Sequence, residues 1–159
     1  MLVLPLSEHH DRGRFDCGNT DLNDWLRKTA RQHKIKSISS TFVATENQES
    51  STILGYYSVA ISEISNEALP GHLSKRYPRR VPAFRLGRLA VALGAQGGFI
   101  GSSLLMDAVN RSMTVAKQVG GVGMIVNAKP SAIGFYRQFG FEQMQDHSLN
   151  LFMPFPKMD

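Results

Sequence analysis

The chain has 159 residues, 42% of them hydrophobic, one cysteine and a formal net charge of +5. That length suits one domain burying about 70% of its unfolded surface, while the lone Cys17 and the scattered His9, His10, His33, His72 and His147 exclude an internal disulfide and offer no metal spacing. Met1–Leu6 is too short for a signal peptide and lacks its basic lead, and no apolar run approaches the roughly 18 residues of a membrane span, so a cytoplasmic protein without membrane contact is expected.

Leu2–Leu6 is expected as a first strand. Thr20 or Asn19 caps a helix over Asp21–Ile35, with Asp21 and Asp24 at its positive end and Leu22, Trp25, Leu26 and Ala30 toward the core. Ser40–Thr45 and Ile53–Ser62 are β-rich runs joined by the turn-forming Glu46–Ser51, which predicts an antiparallel pair. Residues 63–83 hold Pro70, Gly71, Pro78 and Pro82 among basic residues and read as a long surface excursion. Leu86, Leu89, Val91 and Leu93 suit a buried strand, and a glycine-rich loop from Gly94 to Gly101 follows. Ser102–Val119 has helical spacing, with Leu104, Leu105, Ala108, Val109 and Ala116 facing inward and Asp107 placed to pair with Arg111. Gly120 and Gly121 stop that helix. Val122–Val126 returns as a strand, Ser131–Phe139 makes a short helix ending at Gly140, and Leu149–Met153 closes the chain as a strand. The order β-α-β-β-β-α-β-α-β predicts an α/β fold of the α+β type. Its mixed central sheet has six to seven strands with helices on both faces, and residues 1–159 form one domain.

Strand, glycine loop and helix start, in that order, build an anion site. Glycines let backbone N–H groups approach an oxyanion, and the helix aims its unpaired N–H groups and positive dipole end at the same point. A Walker ending and a Gly-x-Gly-x-x-Gly fingerprint are both absent. Two readings stand: a cradle for a phosphate-bearing cofactor, or a glycine-rich turn that binds nothing. The cations are clustered, five of eighteen in residues 27–36 and six in residues 75–88, with no acid in either window. Such blocks attract nucleic acid, or else form a solvated helix face and a surface loop.

Gln96-x-x-x-x-Gly101 after Arg88-Leu-Ala-Val91 resembles the acetyl-CoA pyrophosphate loop of the GNAT superfamily of N-acetyltransferases, with Phe99 where the family's first glycine of a Gly-x-Gly pair stands. Asn127-Ala-Lys-Pro-Ser-Ala-Ile-Gly-Phe-Tyr136-Arg-Gln-Phe-Gly-Phe141 is similar to the family's segment that presents a tyrosine toward the CoA sulfur. Phe15-Asp-Cys17-Gly18, then Leu22, Trp25 and Leu26, with Gly55-Tyr56-Tyr57 and Leu86-Gly-Arg88-Leu-Ala-Val91, resemble the GNAT toxins of bacterial type II toxin–antitoxin systems. Ala92 departs from their pattern, in which an aspartate often follows Arg-Leu-Ala-Val.

The resemblance implies a GNAT-like fold and an acetyl-CoA-dependent toxin that acetylates the α-amino group of aminoacyl-tRNA, with a ribbon-helix-helix antitoxin and a homodimer as its assemblies. It implies that Leu89, Ala90 and Val91 line the pantetheine and thioester. Gln96, Gly97, Gly98, Phe99, Ile100, Gly101 and Ser102 would hold the pyrophosphate, with Asn127 as a further cofactor contact. Tyr136 would be the general acid, unless it only packs against Phe135 and Phe139. Lys28, Arg31, Lys34, Arg79, Arg80, Arg85 and Arg88 would contact tRNA, each arginine being equally readable as a fold contact. Glu63 is the one carboxylate placed to serve as a base, or it is a solvated acid. An α-amine, with a reference pKa of about 7.7–8.0 against about 10.4 for lysine, is partly neutral near pH 7 and needs little basic help. The competing functions are acetylation of a small amine or protein N-terminus, and noncatalytic binding of nucleic acid or an antitoxin.

Overall fold

The computed structural model describes residues 1–156. Its strands are β1 (Leu2–Pro5), β2 (Ser40–Thr45), β3 (Gly55–Ser65), β4 (Arg80–Val91), β5 (Gly123–Asn127), β6 (Glu142–Gln143) and β7 (Asn150–Pro154). The helices are α1 (Thr20–Lys28), α2 (Ala30–Ile35), α3 (Ile100–Val119) and α4 (Ile133–Arg137). Among the described residues the strands form one seven-stranded mixed sheet of order β1-β2-β3-β4-β5-β7-β6, the architecture the sequence leads one to expect. Two compact units make up the chain, residues 1–60 with 87–108, and residues 61–86 with those from 109 onward.

In the first unit the pleat of β3 organises the packing. Adjacent strand residues point to opposite faces, so Tyr56 and Tyr57 send their rings in opposite directions. The Tyr56 hydroxyl donates to the Leu22 carbonyl of α1 at 2.7 Å, and its ring lies in a core with Phe15, Trp25, Leu26, Ala30 and Val43. The Tyr57 hydroxyl donates to Asp107 Oδ2 at 2.6 Å on α3. Helices therefore lie on both faces of this half of the sheet. Gly55 must be glycine, because a Cβ there would sit 2.8 Å from Leu104 Cδ1 and 2.9 Å from the Ala90 carbonyl.

The single helix expected over Asp21–Ile35 is two. Asn19 caps α1 by accepting from the Leu22 N–H at 3.1 Å, and the chain bends at Thr29, whose φ is −119°. Thr29 is β-branched and a weak helix former. The bend lets Ala30 and Leu26 both be fully buried in the same cluster.

The second unit corrects the reading of residues 63–83. β3 continues to Ser65 and β4 already begins at Arg80. Val81 and Ala83 alternate inward while Pro82 and Arg85 are exposed. Pro82 hid this strand from sequence reasoning, since it lacks an N–H, yet its carbonyl accepts from Val122 N at 2.9 Å. Between them, short 3₁₀ turns at Asn66–Ala68 and Ser74–Arg76 are pinned by buried Leu69 and Leu73 in a core with Val81, Ile125 and Phe152. β4 runs parallel to β5 over Phe84–Leu86, and β7 is antiparallel to β5. The helix expected over Ser131–Phe139 is a 3₁₀ turn, Pro130–Ala132, leading into α4. β6 went unforeseen because two residues show no alternation.

Among the described residues no helix is long and apolar enough to cross a membrane, and no group of three His, Cys, Asp or Glu could hold a metal.

His10 is buried, 6% exposed. Its Nδ1 accepts from the Ser7 N–H at 3.0 Å, so the neutral ring carries its proton on Nε2, which is buried without a partner. Burial, and then the neighbouring His9, lower its pKa from 6.5. The unfolded chain therefore binds this proton more readily, and the associated stability, complete above pH 6.5, is lost as pH falls through the native value. Urea denaturation should show a falling midpoint below about pH 6.5, and His10→Asn should flatten that limb.

Candidate active site

β4 ends at Val91 and α3 begins at Ile100, with a 3₁₀ turn at Leu93–Ala95 between them. The glycine loop is held by a side chain. Gln96 Nε2 donates to the Val91 carbonyl at 2.9 Å and to the Cys17 carbonyl at 3.0 Å. Leu93 N–H adds a bond to the Asp16 carbonyl, and Ala92 N–H one to the Leu54 carbonyl, each 2.9 Å. The loop is thus fastened to the segment that precedes α1.

That segment is wired in turn. Asp16 Oδ1 accepts from Gly18 N–H at 2.9 Å and from Asn23 Nδ2 at 3.0 Å, which holds its carboxyl below the usual range. Asn23 Oδ1 accepts from Cys17 N–H at 2.9 Å. Gly18 has φ +86°, and a Cβ on it would lie 3.0 Å from Leu93 Cδ2. The Phe15-Asp-Cys17-Gly18 motif is therefore a latch for the loop. Sequence reasoning treated it as a subgroup signature only; its run of turn formers was the available signal.

Within the loop Gly97 takes a positive φ of +83°. Phe99 does not, and its side chain is 66% exposed. A Cβ on Gly94, Gly97 or Gly98 would meet nothing within 4 Å. The amides of Gly97, Gly98 and Phe99 have no acceptor among the described residues, and those of Ile100, Gly101 and Ser102 open α3, where helix geometry leaves N–H groups unpaired. Ser102 Oγ donates to the Phe99 carbonyl at 3.1 Å, so its hydroxyl proton is engaged in capping. Beside the turn a cavity of about 540 Å³ opens among Arg14, Phe15, Thr52, Leu54, Ala92 and Leu93. The cradle is vacant of protein and rich in donors, as a diphosphate requires.

On β4, Ala90 packs inward and Leu89 and Val91 are half-buried. Arg88 departs from the exposed basic track expected of it. Its Cζ sits 4.2 Å over the Trp25 ring, and that ring stacks on Tyr56 at 6.0 Å and 8°. Burial lowers the Arg88 pKa and raises that of Tyr56.

In the second unit Tyr136 is buried, 6% exposed, with its ring edge-on to Phe135 at 5.2 Å and Phe141 at 5.5 Å. Phe141 replaces the expected Phe139. The hydroxyl bonds to no described residue, yet it is not sealed. Burial pushes its pKa up to about 12. Asn127 Nδ2 donates to Asn150 Oδ1 at 2.8 Å across β5 and β7, leaving its carbonyl oxygen. Arg79, Arg80 and Arg85 are exposed, with Arg80 Nε 3.9 Å from Glu63. Glu63 lies within β3, its side chain 57% exposed, as a solvated acid.

The first-unit cations are more committed. Arg31 Nη2 pairs with Glu8 at 2.6 Å, and Lys28 lies 3.9 Å from Asp24. Lys34 is exposed.

A strand–loop–helix amide cradle in a mixed sheet defines an α/β protein that holds a phosphate-bearing cofactor. Residues 22–159 match the acetyltransferase (GNAT) domain model, and the chain belongs to that family, with acetyl-CoA as acetyl donor. It is 32% identical over 149 residues, 93% of this chain and 88% of the relative, to the tRNA-acetylating toxin of Mycobacterium tuberculosis. The solved structure of AtaT complexed with acetyl-methionyl-tRNAfMet superposes with a TM-score of 0.89 at 29% identity, covering 96% of this chain and 94% of that one. A tyrosine-to-phenylalanine mutant of AtaT, bound to the C-terminus of the antitoxin AtaR and acetyl-CoA, gives a TM-score of 0.80 at 28% identity, covering 96% and 92%.

Removing the Gln96 amide releases two carbonyls. In Gln96→Ala, hydrogen–deuterium exchange should quicken over residues 92–99 and stay unchanged in α4, with about 1–3 kcal/mol lost from global stability.

Proposed function

We propose that this protein is a cytoplasmic toxin that acetylates the α-amino group of aminoacyl-tRNA and so blocks its use in translation. It works as one 1–159 domain in a homodimer and is neutralised by a ribbon-helix-helix antitoxin. The run of unpaired amides from Gly97 to Ser102 carries the reading, since it fits the diphosphate of acetyl-CoA and little else in the chain. Similarity over most of the chain to toxins named for tRNA acetylation supports the choice of acceptor.

Acetyl-CoA supplies an acetyl group already activated as a thioester. The amides of Gly97, Gly98, Phe99, Ile100 and Gly101, with Ser102, would hold the diphosphate on the loop that Gln96 braces, and Asn127 would offer its side-chain carbonyl. Main-chain groups of Leu89, Ala90 and Val91 line the pantetheine and orient the thioester. A thioester held there would be open to the neutral α-amine, and Tyr136 would give its hydroxyl proton to the sulfur as the C–N bond forms and the C–S bond breaks. The proton lost by nitrogen passes to water, for which an α-amine needs no strong base. A phenol with a pKa of about 12 stays protonated across the neutral range and is replenished from solvent. The exposed Arg79, Arg80 and Arg85, with Lys34, Lys28 and Arg31, supply the field that gathers tRNA.

Tyr136→Phe should keep the fold and acetyl-CoA affinity and lower kcat by about 10²- to 10⁴-fold, as followed by release of free thiol. The wild-type kcat/KM should rise with pH through about 8 as the acceptor amine deprotonates, without a descending limb below about pH 10. Labelled acetyl-CoA with a complete charged-tRNA pool tests the acceptor directly. Label on aminoacylated tRNA, absent after deacylation, is the expected result; label only on small amines or protein N-termini overturns it.

A further inference from the structure

Six cations lie in the window from Lys75 to Arg88, and one of them is unlike the rest. Arg88 is half-buried, whereas Lys75, Arg76, Arg79, Arg80 and Arg85 are exposed. Its guanidinium lies 4.2 Å above the Trp25 ring. Trp25 is 8% exposed and stacks on fully buried Tyr56, whose hydroxyl is anchored on Leu22 O. The fork is thereby fixed from below by a rigid two-ring platform. No carboxylate or other acceptor among the described residues takes its N–H groups. A guanidinium seated on an aromatic face has its donors directed outward in its own plane, and a planar fork matches the two oxygens of a phosphate. In a half-buried setting such an ion pair is stronger than one made by the exposed arginines.

We infer that Arg88, held on Trp25 and Tyr56, is the receptor for the phosphodiester nearest the aminoacyl ester of the acceptor. The inference rests on the tRNA reading above and deepens it. Arg88 is the residue before Leu89, the start of the main-chain stretch assigned to the thioester. In a charged tRNA the last phosphodiester and the aminoacyl ester sit on the same terminal nucleoside, one ribose apart. A phosphate on this fork would anchor that ribose beside the reacting strand. Trp25 is too enclosed to stack a base, so recognition here is of the backbone and independent of sequence. Selection among tRNAs then belongs to other surfaces.

Trp25 is the one tryptophan in the chain, so its emission reports on this stack. The full-length protein is titrated with the trinucleotide CpCpA and, separately, with adenosine. The trinucleotide should change Trp25 emission with an affinity that falls as salt rises, and adenosine should not. Arg88→Ala should weaken trinucleotide binding at least about tenfold. Arg88→Lys, which keeps the charge over the ring and loses the fork, should fall between and covers the case in which the alanine variant does not fold. Lys117→Ala, at an exposed cation in the last turn of α3, should bind the trinucleotide as the wild type does. Equal binding of adenosine and trinucleotide, or wild-type binding by Arg88→Lys and Arg88→Ala, would overturn the assignment. Arg88-dependent trinucleotide binding by a protein that leaves charged tRNA unacetylated would retain the receptor and reject the acetylation reading. Acetylation of charged tRNA by a protein whose trinucleotide binding ignores Arg88 would do the opposite.

Discussion

One side-chain amide fastens the loop on which the proposed cofactor binding depends. Gln96 Nε2 reaches both the last carbonyl of β4 and the carbonyl of Cys17, so the glycine loop cannot drift from the strand that feeds it. A loop rich in glycine is costly to order, because each glycine loses more backbone freedom than any other residue. The Gln96 bonds, with Leu93 N–H on Asp16 O, offset that cost before any ligand arrives. The result is a row of amides held open and unpaired.

The same latch links the two roles of the first unit. Asp16, Cys17 and Gly18 brace the cofactor loop, and the chain continues within a few residues into α1, where Asn19 caps the helix and Trp25 carries Arg88. Tyr56 closes the circuit from β3 through its bond to Leu22 O. The latch residue Cys17, α1 and the Trp25–Tyr56 pair share a single core cluster with Ala90 and Ala92, on the approach to the loop. Preorganisation of this kind is what electrostatic recognition of phosphate needs, because donors that are already aimed lose nothing by reorganising.

Tyr136 illustrates how structural and chemical readings of one residue coexist. Phe135 and Phe141 fix its ring, a packing role like the one the sequence allowed with Phe135 and Phe139, and the hydroxyl bonds to no described residue, as the proposed acid requires. Burial keeps the phenol protonated. A thiolate is a weaker base than this phenolate, so the transfer is uphill by a few pKa units and is completed by a proton drawn from solvent as the C–S bond breaks.

Local, contiguous features were legible in the sequence. The strand, glycine loop and helix start, the Phe135-Tyr136 segment and the apolar spacing of α3 each lie within a short window, where periodicity and backbone permissiveness act directly. The sequence alone also determined the mixed sheet, apart from two-residue β6 and the early start of β4 behind Pro82. Tertiary structure decided everything that joins distant residues. Gln96 and Cys17 are 79 positions apart, so no local pattern could make the glutamine a strut. Arg79, Arg80, Arg85 and Arg88 are chemically alike along the chain; only folding sets one on an aromatic platform and leaves the others in water, because burial is a property of neighbours brought together in space.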